Sequence, residues 1–258
     1  MNLSTANKPS YQSGQFGKNP AKHDERTLLF QNYLMADGEA LPPPPTSLNL
    51  LTRICENLVL ADPAALFPMD GNDVRSDCTI AALAHAITTY NGLVGTENIM
   101  PELDVVELYL SLTHGLNSGL NMLDVLKYWR QNTVSDDNIL AFVGINPKNH
   151  IHVEQAIQLF GGVYLGFKVQ QNCAEEFRAG QPWSPGTLTT EGHTVFVVEY
   201  GPVGVTVLTW GRTQQATWAW WDQCVDEAYA ILPENAENIN FAGFDIEQLK
   251  IDLSAVAN

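Results

Sequence analysis

The sequence predicts an α+β domain in which a helical half comes first and an antiparallel β half second. Up to Gly162 the apolar residues recur at helical spacing, as in TIAALAHAITTYNG (79–92). From Val163 onward the apolar runs are β-branched, aromatic and alternating, as strands require. Gly201-Pro202 then joins two such runs, HTVFVVEYG and VGVTVLTWG, as a hairpin.

Residues 1–26 are polar and rich in Gly, Ser, Asn and Lys, and LPPPP at 41–45 imposes an extended, polyproline-like path. Residues 1–45 are therefore expected to form an extended arm that makes few contacts with the core of its own domain and runs along the surface or onto a neighbour. RTLLFQNYL (26–34) is a short docking turn or strand within it. The main domain is expected over 46–232. Its helices are 48–59, 79–92, where Ile80, Leu83, Ala84 and Ile87 share a face, 104–115, with Val105, Leu108 and Leu112, then 122–132 and 151–162, closed by Gly161-Gly162. Its strands are 163–169, 193–201 and 203–211, with a long polar loop over 178–192. TWAWWDQCVDEAYAIL (217–232) gives a short aromatic helix and a final strand. Residues 233–258 form an acidic tail with a late amphipathic piece around FDIEQLKIDLSAV.

The chain is strongly acidic: Lys+Arg 13 against Asp+Glu 29 gives 13 − 29 = −16. Such a surface repels a phosphate backbone, so nucleic-acid binding is excluded as a main function. With no run of about 18 apolar residues, no membrane span is expected, and the polar N-terminus lacks a signal-like apolar core. Cys55, Cys78, Cys173 and Cys224 are widely separated and form no CxxC, which favours free thiols in a reducing compartment, and a cytoplasmic location is expected.

Two stretches carry the chemistry. GNDVRSDCTIAALAHA (71–86) delivers Cys78 to the start of a helix, and EGHTVFVVEYG (191–201) places His193 after Gly192 at the head of a strand. A cysteine at a helix N-terminus and a histidine entering a strand are the two parts of a nucleophile–base pair, because the helix end and an imidazolium both stabilise a thiolate. Asp77, an N-cap residue type, opposes that thiolate by its charge.

A helical half led by a cysteine and a β half led by a histidine resemble the papain-like cysteine peptidases, over about residues 68–232. Cys78 matches the nucleophile, Gly192-His193 the base, and the separation, 193 − 78 = 115 residues, suits that fold. The resemblance implies that Asn72, six residues before Cys78, stands where the family has an oxyanion-hole glutamine. Trp210-Gly211 matches the family's Trp-Gly, but the residue before it is Thr209 where an orienting asparagine or aspartate is usual. Thr79 replaces the aromatic residue that follows the nucleophile. GND…DC…AA.AH with TWG…TW..W…DEAYA is most similar to a papain-like family of bacteriophages and bacteria.

The resemblance implies a cysteine hydrolase, a peptidase or amidase acting on a peptide or amide substrate, with Cys78, His193, Asn72 and Thr209 as site residues and no cofactor or metal. An isopeptidase or acyl-transfer reaction uses the same dyad. The alternative is a non-catalytic papain-like interaction protein, such as a virion component, whose arm binds a protein partner. The other polar candidates take structural roles: His85 a packed histidine, His150, His152 and Glu154 a polar helix entrance, and DGND (70–73) a turn. Trp210, Trp218, Trp220 and Trp221 serve packing, and the other three cysteines are structural.

Overall fold

The computed structural model describes residues 13–35, 40–234 and 243–256. Eight α-helices among them run α1 Leu50–Leu58, α2 Cys78–Leu93, α3 Glu102–Leu112, α4 Met122–Gln131, α5 His150–Phe160, α6 Cys173–Ala179, α7 Trp218–Cys224 and α8 Ile246–Val256. The strands are β1 Leu48–Asn49, β2 Ile139–Gly144, β3 Val163–Gln170, β4 Leu188–Gly201, β5 Gly204–Thr209, β6 Arg212–Thr217 and β7 Val225–Pro233. They form one antiparallel sheet in the order β2-β7-β3-β4-β5-β6, with β1 added to β4. The fold is α+β, as expected. No helix among the described residues is long and apolar enough to cross a membrane.

Helix α2 passes through the centre. All but two of its residues are buried, and Ala81, Ala82, Ala84 and Ala86 let neighbouring elements approach its backbone closely. It packs mainly on β4 and α1. Helix α1 is one-sided by contrast: Leu50, Leu51 and Ile54 are buried, the Asn49 side chain caps the Thr52 N–H at 3.0 Å, and Val59 ends it in the left-handed region.

Besides the two-residue β1, which takes the first two positions of the helix expected over 48–59, three elements went unanticipated. β6 reads RTQQAT, polar because it is the sheet's edge, where only Gln214 and Ala216 point inward. β2, on the opposite edge, is a short apolar run, and α6 lies in a stretch with little periodicity. β4 begins at Leu188, which shortens the expected loop and puts His193 inside the strand rather than at its head.

The arm also differs from expectation. Residues 1–12 and 36–39 lie outside the described residues, but Phe30 and Tyr33, in a 3₁₀ turn over Phe30–Tyr33, are core residues. Phe30 packs on Phe160 and Phe244, and the Tyr33 hydroxyl donates to Asp252 of α8 at 2.9 Å. Two aromatic rings bury far more apolar surface than the polar flanks suggest, so this part of the arm is integral to its own domain.

Candidate active site

Cys78 opens α2 and is buried. The preceding loop is folded tightly: the Asn72 amide donates to the Arg75 carbonyl at 2.9 Å, to Asp77 Oδ1 at 3.0 Å and to the Gln15 carbonyl at 3.2 Å. An amide nitrogen has two hydrogens, so it cannot serve three acceptors well. Asn72 is thus engaged by its own loop and by the arm, rather than standing free above the sulfur. Asp77 makes no side-chain cap to α2, contrary to its residue type; its carboxylate turns to Asn72 instead.

His193 is fully enclosed on β4. Its Nε2 lies 2.8 Å from Thr209 Oγ1, a direct contact from the end of β5. When Nε2–H donates there, Nδ1 keeps its lone pair, and Nδ1 is a buried atom without a hydrogen-bond partner. The β5–β6 turn explains the packing. Trp210 and Gly211 have φ of 47° and 75°, the two-residue hairpin geometry that suits glycine and strains tryptophan. The strain is sustained because the Trp210 ring is wedged between His193, at 4.7 Å, and Phe177, at 4.8 Å.

Sequence reasoning missed the cover over this site. Residues 14–19 of the arm cross it. Gln15 N–H donates to the Asn72 carbonyl at 2.6 Å, Lys18 N–H to the Gly192 carbonyl at 3.0 Å, and Leu120 N–H to the Gly17 carbonyl at 3.0 Å. Phe16 sets its ring against His193 and Trp210, each at 5.6 Å. A Cβ at Gly17 would overlap the Ser76 main chain, and one at Gly14 would overlap Asn72 and the Trp210 ring. The spacing of these two glycines in GQFG was the one signal that the arm threads a narrow gap.

Burial sets the protonation states. It pushes the Cys78 thiol up to about 12, with the N–H and hydroxyl of Thr194 and the Gly17 N–H working against it and Asp77 adding to it. Burial also holds His193 down at about 3 and raises Asp77 to about 7. Under the arm, Cys78 is therefore a neutral thiol and His193 a neutral imidazole. Sequence reasoning expected a depressed Cys78 pKa; desolvation under the arm reverses the direction.

The remaining residues fall where expected in part. His85 Nε2 lies 3.1 Å from both the Pro68 carbonyl and Asp70, in the core, and 70–73 is a turn. His150 pairs with Asp222 at 2.8 Å and stacks on Trp218 at 4.2 Å, while His152 faces Phe30. Trp220 and Trp221 are buried.

No protein-family model and no curated protein matches the sequence. Solved structures match in fold. Xylellain, a cysteine protease from Xylella fastidiosa, aligns with 88% of this chain and 99% of its own at a TM-score of 0.62 and 15% identity. ProCathepsin B S9 from Trypanosoma congolense aligns over 85% and 86%, at 0.55 and 12%. The cysteine protease and lectin-like domains of Cwp84 from Clostridium difficile align over 84% and 55%, at 0.56 and 13%. These likenesses establish the papain-like fold.

Proposed function

We propose that this protein is a papain-like cysteine hydrolase, a peptidase or amidase, held in a covered state by residues 14–19. The observation that carries the proposal is His193, fixed at Nε2 by Thr209 with Nδ1 unpartnered, on the strand that packs against the Cys78 helix. With the arm displaced, His193 Nδ1 takes the Cys78 proton and the sulfur attacks the substrate carbonyl. The oxyanion is met by the Cys78 N–H at the start of α2; when Gln15 leaves, the Asn72 amide still spends both hydrogens on the Arg75 carbonyl and Asp77, so it joins the oxyanion site only if its own loop also opens. The amine departs with the proton from His193, leaving a thioester, and water then releases the acid. The T. congolense neighbour is likewise a pro-form by name, consistent with a covering segment.

The neutral, buried pair favours a second reading: a papain-like domain kept for interaction, in which the arm is a permanent part of the fold. Hydrolysis separates the two. In a Lys18→Glu variant that loosens the arm, release of a fluorophore from amide-linked peptides is expected, and Cys78→Ala in that background should abolish it. No hydrolysis across a broad peptide library, with Cys78 shown to be open to alkylation, would favour the interaction reading.

A further inference from the structure

Lys18 points to the substrate. Its side chain is only 1% exposed, and Nζ lies 2.9 Å from Glu227 and 3.1 Å from Asp226, at the start of β7. The Asn19 carbonyl is a weaker contact at 3.4 Å, and the Tyr229 hydroxyl donates to the second Glu227 oxygen at 3.1 Å. The pocket walls are shaped for this chain of methylenes. Gly166 leaves a space that a Cβ would take from Lys18 Cε, Met122 and Glu227. Glu227 is buried and Asp226 beside it is partly exposed; lost hydration first, and the Asp226 charge after it, raise the Glu227 pKa, and a cation between the two carboxylates offsets both effects.

The pocket is also in register with the reacting groups. Lys18 N–H bonds the carbonyl of Gly192, the residue before His193, and the residues on either side of Lys18 bond both main-chain groups of Leu120. Gly17, one residue earlier, lies against Ser76 and contributes its N–H at Cys78. Any peptide that lies between the Gly192 and Leu120 edges therefore presents a side chain to this pocket, next to the one over the sulfur.

We infer that the Asp226–Glu227 pocket is the specificity pocket of the site, that it selects peptides carrying a lysine or arginine side chain there, and that Lys18 occupies it as a built-in stand-in for substrate. This rests on the proposed hydrolase reading for its biological use, but its test does not need turnover. In the full-length chain, Lys18→Glu sets a third carboxylate in the pocket and should expel the arm, raising the rate of Cys78 alkylation by iodoacetamide, read by peptide mapping, at least about tenfold over wild type. Lys18→Ala should act in the same direction and decides the matter if the charge reversal unfolds the chain.

The peptide Ser-Gly-Gln-Phe-Gly-Lys-Asn-Pro, copying residues 13–20, should then protect Cys78 in the Lys18→Ala protein. The same peptide with leucine for lysine should need about tenfold more for equal protection. Adding Asp226→Asn and Glu227→Gln should erase that difference. Equal protection by the two peptides, or an unchanged Cys78 rate in both Lys18 variants, would overturn the inference. A protein that alkylates as expected yet hydrolyses nothing would sink the hydrolase reading and leave the pocket standing.

Discussion

The Thr209 hydroxyl, at the end of β5, sits 2.8 Å from His193 Nε2 on the neighbouring strand β4. A hydroxyl can accept from Nε2–H or donate to Nε2, so it holds the ring less selectively than an amide carbonyl does. In the Lys18→Ala background, Thr209→Val should slow Cys78 alkylation about three- to tenfold, the worth of one neutral hydrogen bond. Thr209→Asn should restore it. If valine changes nothing, the Trp210 ring alone fixes the imidazole.

In the wild-type chain the order of thiol reactivity should be the reverse of what a depressed Cys78 pKa implies. Cys55 is partly exposed, whereas Cys78, Cys173 and Cys224 are buried. Iodoacetamide should label Cys55 first and the other three slowly, with all four levelling in denaturant. Prompt labelling of Cys78 in the folded chain would mean that the arm does not cover it in solution.

Gly17→Ala should open the site without touching its chemistry. The added methyl meets the Ser76 main chain, and overpacking of this kind costs about 1–3 kcal/mol. Because the arm is the movable partner, the cost should appear as faster Cys78 labelling, with the main unfolding transition little changed. A large fall in melting temperature with Cys78 still protected would contradict this.

Phe30→Ala tests the other end of the arm. Phe30 is fully enclosed by Phe160, Phe244 and His152, and loss of such a ring costs about 3–5 kcal/mol. Urea unfolding should show that loss as a shifted midpoint with an unchanged slope. A neutral result would return the whole arm to the surface.

Asp77 and His193 give opposite pH dependences. Asp77 titrates at about 7 in the fold against an ordinary 3.8, so the native state holds the extra proton and this group's contribution falls as pH rises through that window. His193 titrates at about 3 against 6.5, so the unfolded state holds the extra proton and its contribution grows with pH from about 3 to 6.5. The two slopes, each up to about 1.4 kcal/mol per pH unit, offset each other between pH 4 and 6.5. Asp77→Asn should leave the His193 slope alone, so the variant's stability should climb with pH while the wild type stays flatter. Parallel profiles would rule out this balance.

Much of the fold was legible because its period is local. Helices α2 and α5 and strands β3 and β5 announce themselves in Ile80, Leu83 and Ile87, in Gly161, and in Val205 and Val207. Cys78 and His193 could be singled out for the same reason, one opening a helical segment and the other lying in a strand, whereas Asn72, in a turn, and Thr209 rest on the papain-like resemblance. What stayed hidden depends on long-range pairing. β6 has no apolar stripe because one neighbour suffices at an edge, and the Lys18 contacts join residues more than 200 positions apart. The pKa directions were misjudged because burial under an arm cannot be read from the residues that it buries.

The anchoring of the arm at Phe30 and Tyr33 makes its blocking segment a tethered ligand. Residues 20–29 form a short link between the anchor and Lys18, mostly exposed and held by such contacts as Lys22 with Asp124 at 2.8 Å. A short link keeps its cargo at an effective concentration in about the millimolar range. The contacts of Gly14 to Asn19 can therefore be individually weak and still keep the site shut against any competitor at lower concentration. One cut in the link would change none of those contacts, yet would turn a self-association into an encounter that dilution can undo.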